Sequence, residues 1–103
     1  MFKETNVKDF QEDTSNGIVL VEIFNPGCVP CHQLKKEVLP LAEDFVDKIL
    51  TLNASENVEL IIKLQKSIGT MMSVPILLLF DNGNYIARKD GMMTGDDLID
   101  FIS

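Results

Sequence analysis

The chain has 103 residues, 46% of them hydrophobic, and a formal net charge of −7, a size that suits one domain over residues 1–103 burying roughly 60 to 65% of its unfolded surface. It holds no Lys/Arg cluster that would release counterions from a phosphate backbone, so nucleic acid is not an expected partner. Neither an apolar core of about 7 to 15 residues near the amino terminus nor a run of the ~20 residues that span a bilayer occurs, and the expected protein is soluble, cytoplasmic and without a membrane partner.

In chain order, Val7 and Phe10, with Phe2, give a weak helical stripe that stops at Thr14-Ser15-Asn16-Gly17, and a short first helix is expected there. Ile18 to Phe24 is nearly continuous apolar and β-branched, as in a strand covered on both faces. Glu22 is conspicuous inside it. After the Asn25-Pro26-Gly27 turn comes Cys28. From there Leu34, Val38, Leu39, Leu41, Ala42 and Phe45 recur at helical spacing with Pro40 among them, predicting a long helix kinked near Pro40. Ile49 to Asn53 reads as a strand. Val58, Ile61, Ile62, Leu64, Gln65 and Ile68 repeat at three to four ahead of Gly69, a suitable helix stop. Ile76 to Phe80 is a third buried strand, and Asp81-Asn82-Gly83-Asn84 has the chemistry of a tight hairpin into Tyr85 to Lys89, so those strands pair antiparallel. Thr94 with Asp97 resembles a capping box ahead of Leu98, Phe101 and Ile102. Together these predict an α/β fold, a mixed sheet with helices on both faces. Phe24, Phe45, Phe80 and Phe101 read as core filling.

Only two cysteines are present. A bridge between Cys28 and Cys31 closes too short a loop to staple a fold. Where a buried strand hands over to a helix, Cys28 lies beside unpaired N–H groups that stabilise a thiolate, and Pro30 costs little in the first turn while stiffening the loop. A redox pair is the favoured reading; half of a zinc site and two inert buried thiols are the alternatives, and zinc lacks further ligands, His32 being the one histidine. No metal and no cofactor is expected. Glu22, if buried, has a raised pKa and is a candidate proton acceptor for Cys31; the bland alternative sets it at a sheet edge in water. His32 either biases thiol ionisation or is a solvated side chain. Met71, Met72, Met92 and Met93 flank the loops around the cysteines, either as an adaptable surface or as core.

The combination of a strand, C-x-P-C at a helix start, Val74-Pro75 before a buried strand, an Asn-Gly hairpin and Gly91 before a last helix resembles the thioredoxin family over nearly the whole chain, Ile18 to Ser103. The resemblance implies the thioredoxin fold and a protein-disulfide reductase, with Cys28 as the exposed nucleophile and Cys31 as the resolving thiol. It implies that Glu22 stands where such proteins carry a buried acid, commonly Asp. It also implies a cis Val74–Pro75 bond, with Val74 offering backbone groups to an extended substrate, and a substrate-binding surface of Val29, Pro30, Met72, Val74, Pro75, Gly91 and Met92. Implied partners are disulfide-containing proteins and a flavin-dependent thioredoxin reductase as electron donor, the enzyme itself being a monomer.

Four positions depart from the family pattern. Gly27 stands where Trp usually precedes the first cysteine, Val29 where the spacer is Gly, Phe24 where a second Trp is familiar, and Thr51 where Lys often pairs with the buried acid. The resemblance thus implies a smaller, differently shaped rim. A glutathione-coupled, glutaredoxin-like enzyme and a non-enzymatic docking or zinc-binding module remain as alternatives. The first lacks an aromatic residue between the cysteines, and the second does not need both thiols.

Overall fold

The computed structural model describes residues 2–103. Strands β1 (Phe2–Thr5), β2 (Ile18–Phe24), β3 (Lys48–Asn53), β4 (Ile76–Asp81) and β5 (Asn84–Asp90) form one sheet in the order β1-β3-β2-β4-β5. β3 pairs parallel with β1 and β2, whereas β4 runs antiparallel to both β2 and β5. The thioredoxin fold expected from the sequence is the one observed.

Alternation along the strands divides the apolar residues between two cores. Leu20, Ile49, Leu77 and Leu79 face α2 (Val29–Glu37) and α4 (Gly95–Ile102), meeting Leu34, Val38, Leu39 and Leu98. On the opposite face Val19, Val21, Ile23, Leu50, Leu52, Ile76 and Leu78 meet Phe10 of α1 (Phe10–Asp13) and Leu60 of α3 (Val58–Ile68). Each fully buried aliphatic side chain contributes about 1.5–3 kcal/mol. β2 lies at the centre of the sheet with its interior residues buried, which is why Ile18 to Phe24 shows no polar face except at Glu22.

Three expectations are corrected. Phe2 belongs to a strand, not to a helical stripe: β1 is a parallel edge strand that pairs Phe2 with Ile49. Its outer residues are exposed and only Thr5 is buried, so it carries no periodic apolar signal. The long helix from Cys28 is broken rather than kinked. α2 ends at Glu37, and Leu39–Ala42 forms a separate 3₁₀ turn with Pro40 in its first positions, because a proline inside a helix removes a hydrogen bond and clashes with the preceding turn. Past the break the helical register is lost, leaving Leu41 52% and Phe45 56% exposed rather than in the core.

The hairpin between β4 and β5 turns through Asn82 (φ 49°) and Gly83 (φ 87°), the left-handed pair that a tight antiparallel connection requires. At α4 the capping box is complete: the Asp97 N–H donates to Thr94 Oγ1 at 3.1 Å and the Thr94 N–H donates to Asp97 Oδ2 at 3.2 Å.

Candidate active site

Cys28 is the N-cap of α2 and is joined to Cys31 by a disulfide, their Cα atoms 5.3 Å apart. The backbone at Cys28 is extended (φ −85°, ψ 104°), and its own sulfur accepts the Cys31 N–H at 3.1 Å. The positive end of the helix therefore points at Sγ, which favours negative charge there once the disulfide opens. Pro30 falls within the first two helical positions, where its missing N–H costs nothing. The two sulfurs differ in access: Cys28 is half-buried and Cys31 is 1% exposed.

The Val74–Pro75 bond is cis. Pro75 is buried and Val74 half-buried, and the Val74 carbonyl oxygen lies 3.8 Å from Cys28 Sγ. Gly91, with φ 88°, donates its N–H to the Pro75 carbonyl at 2.8 Å, so the segment ahead of α4 is laced to the cis-proline segment through a backbone conformation suited to glycine. Val29 (72% exposed), Met72 (85%) and Met92 (46%) are exposed apolar side chains on segments adjoining this site, whereas Met93 is core. Met71 is half-buried against the α3-side core. Next to Val74 lies an apolar depression of about 160 Å³ lined by Ile23, Ala54, Ile61, Met71 and Met72.

Glu22 is 1% exposed. The placement of β2 at the centre of the sheet rules out the sheet-edge reading. Alternation puts Glu22 on the same face as Leu20, beneath α2, with Thr51 and Leu77 as its register neighbours. Oε2 has no hydrogen-bond partner. Desolvation is the dominant cause that lifts its pKa from the ordinary 4.5 to about 7, and the Lys35 charge on α2 opposes that rise. A buried acid without a neutralising contact is poised to exchange a proton near neutrality.

His32 is exposed and its Nε2–H donates to the Pro26 carbonyl at 2.7 Å, tying α2 to the preceding turn. Its ring centroid is 6.2 Å from that of Phe24. Among the described residues no group of three or more His, Cys, Asp or Glu side chains is placed to hold a metal ion. No helix among them is long and apolar enough to cross a membrane.

Three residues at the site, Lys35, Ala54 and Ile61, have no site role in the sequence reading. Lys35, the cation acting on Glu22, sits four residues past Cys31; helical spacing puts it over the Cys31 side of α2, a signal that was available. Ile61, which walls the depression with Ala54, reads only as part of the helical repeat, and Ala54, a single small apolar residue after β3, carries no signal of its own.

The family model Thioredoxin matches residues 1–103. The thioredoxin of Rickettsia bellii (strain RML369-C) is 30% identical over 100 residues, covering 93% of this chain and 90% of that protein. The thioredoxin of Chlamydia pneumoniae is 29% identical over 106 residues, covering 100% and 97%. In structure, Chlamydomonas reinhardtii thioredoxin f2 superposes with a TM-score of 0.82 at 20% identity, covering 99% of this chain and 94% of that one, a likeness of fold. With the cysteine pair at the head of α2 and the family match running the whole length, the chain belongs to the thioredoxin family and is a thiol–disulfide oxidoreductase acting on protein disulfides.

Proposed function

We propose that the chain is a dithiol reductant in which Cys28 attacks and Cys31 resolves. The observation that carries this reading is the position of Cys28 Sγ, capped by the Cys31 N–H at 3.1 Å and 3.8 Å from the Val74 carbonyl. The more accessible sulfur is thus the one at the helix head and beside an open backbone segment.

In the reduced enzyme the Cys28 thiolate attacks one sulfur of a substrate disulfide. A Cys28–substrate S–S bond forms, the substrate bond breaks, and the departing sulfur takes up a proton. Cys31 then gives its proton to the Glu22 carboxylate and attacks Cys28 Sγ. The mixed disulfide breaks, the second substrate thiolate leaves and is protonated, and two electrons have passed to the substrate as the Cys28–Cys31 bond forms. One helical turn between the sulfurs gives Cys31 a high effective concentration over external thiols. The extended substrate pairs through the backbone of Val74 beside Pro75, with Val29, Pro30, Gly91, Met72 and Met92 as the surrounding surface. Flexible thioethers at Met72 and Met92 accommodate varied apolar partners.

Both cysteines of the chain belong to the redox pair, leaving none for a structural bridge, as in proteins of reducing compartments such as the cytoplasm. A monomer of one domain, recharged by a flavin-dependent thioredoxin reductase, fits this reading. The test is reduction of a polypeptide disulfide such as insulin by wild type and Cys28→Ser, with the equilibrium potential of the pair measured by alkylation in graded thiol buffers. Loss of activity in Cys28→Ser and a potential near about −270 mV support the reading. Retained activity in that variant, or a potential above about −200 mV, refutes it.

A further inference from the structure

Arg88 is the chain's only arginine. It stands opposite Leu78 on β5, on the α3 side of the sheet, and its side chain is 16% exposed. Its guanidinium uses its whole set of donors. Nε donates to Asp90 Oδ1 and Nη2 to Asp90 Oδ2, each at 2.8 Å. Nη2 also donates to the Thr70 carbonyl at 2.7 Å, and Nη1 to the carbonyls of Gly69 at 3.1 Å and Ile68 at 3.3 Å. Five N–H groups in a rigid plane is the capacity of an arginine, and a carboxylate held by two of them fixes where the rest point.

The carbonyls so engaged are the end of α3 and the start of the segment that leads through Met71, Met72 and Ser73 to the cis Val74–Pro75 bond. The same segment is held from α3 by the Met71 N–H, which donates to Gln65 Oε1 at 2.9 Å. At the other end of the pair, Asp90 directly precedes Gly91, whose N–H donates to the Pro75 carbonyl. The Arg88–Asp90 pair therefore bridges the two backbone segments that meet at Pro75, although neither residue touches a sulfur.

We propose that Arg88, anchored by Asp90, is a positioning residue for disulfide exchange: it fixes the Gly69–Val74 segment so that the Val74 backbone stays beside Cys28 and the depression between Ile61 and Met71 stays open. The proposal rests on the reading of Val74 as the substrate's backbone partner. A helix C-terminal cap alone needs no second anchor. The bidentate link to Asp90 turns the cap into a brace between β5 and the segment.

The test compares wild type, Arg88→Met, Arg88→Lys and Asp90→Asn in two reactions. The first is reduction of a peptide disulfide, with KM and kcat measured separately; the second is reduction of the Cys28–Cys31 disulfide by dithiothreitol, which needs no backbone pairing. In Arg88→Met, KM for the peptide rises about three- to tenfold, the loss of one well-aligned backbone hydrogen bond, while the dithiothreitol rate stays unchanged. Arg88→Lys restores little, because one ammonium cannot span three carbonyls and a carboxylate. Asp90→Asn shifts KM in the same direction by less, and decides the matter if Arg88→Met does not fold. Unchanged KM in Arg88→Met and Asp90→Asn, both reactions slowing together, or full rescue by lysine overturns the proposal. A wild-type enzyme that reduces no peptide disulfide overturns the substrate reading itself.

Discussion

Glu22 and Thr51 are register neighbours on β2 and β3, buried on the face covered by α2, and the threonine brings no charge to that contact. The cation that acts on Glu22 instead comes from above, from Lys35 on the helix that carries both cysteines. Burial therefore wins over attraction, and the carboxyl titrates near neutrality.

The first expected outcome concerns pH. The folded pKa of Glu22, about 7, exceeds its ordinary 4.5, so the folded state holds a proton that the unfolded chain gives up. The contribution to stability is fully present below pH 4.5 and is lost as pH rises through about 7. Denaturant unfolding of wild type and Glu22→Gln will show wild type losing about 3 kcal/mol relative to the variant across that window. The same variant will slow resolution of the mixed disulfide by roughly 10²-fold, seen by quenched-flow alkylation.

On the proposed mechanism, Cys31→Ser keeps the attacking sulfur of Cys28 and removes the resolving one. A covalent adduct with a peptide disulfide will accumulate, be visible by mass spectrometry under non-reducing conditions, and disappear on addition of dithiothreitol. Cys28→Ser will form none, because its remaining thiol is buried.

Met72 is 85% exposed at the rim of the apolar depression. Met72→Glu will leave the thermal midpoint in place and raise KM about tenfold for peptides with aliphatic residues beside the cysteine, by lost apolar contact and added charge. Polar peptides will be less affected. Steady-state kinetics on a matched peptide pair reads the difference.

Thr94→Ala removes the hydroxyl that caps α4 and should cost about 1 kcal/mol. For a domain of this size that lowers the calorimetric midpoint by about 4–8 °C. Because α4 packs through Leu98 on the core beneath α2, the loss is global and not a local fraying.

The elements read correctly from sequence are those whose signal is a dense local pattern. β2 and β4 are buried on both faces and read as continuous apolar runs, α3 stops at Ile68 just ahead of Gly69, and Asn82-Gly83 dictates a hairpin. β1 is illegible because its one buried side chain, Thr5, is polar and donates to Asp13 of α1. The spacing of Leu41 and Phe45 misled because periodicity does not register the break at Pro40. At the site, Cys28, Cys31 and Val74-Pro75 are marked by residue type and local order. Lys35 is placed by helical spacing from Cys31 on α2, whereas Arg88 acts through a long side chain whose targets on another element are set only when the elements pack together, and no local pattern encodes such a reach.

The helix cap at Cys28 is made by the same sulfur that we propose attacks the substrate disulfide. The Cys31 amide proton consequently sees every change in the charge and bonding of that sulfur, from disulfide to thiolate to mixed disulfide. It is a built-in gauge of the catalytic cycle: a single backbone resonance in a nuclear magnetic resonance spectrum, needing no label on the substrate, reports which of the three forms the enzyme occupies.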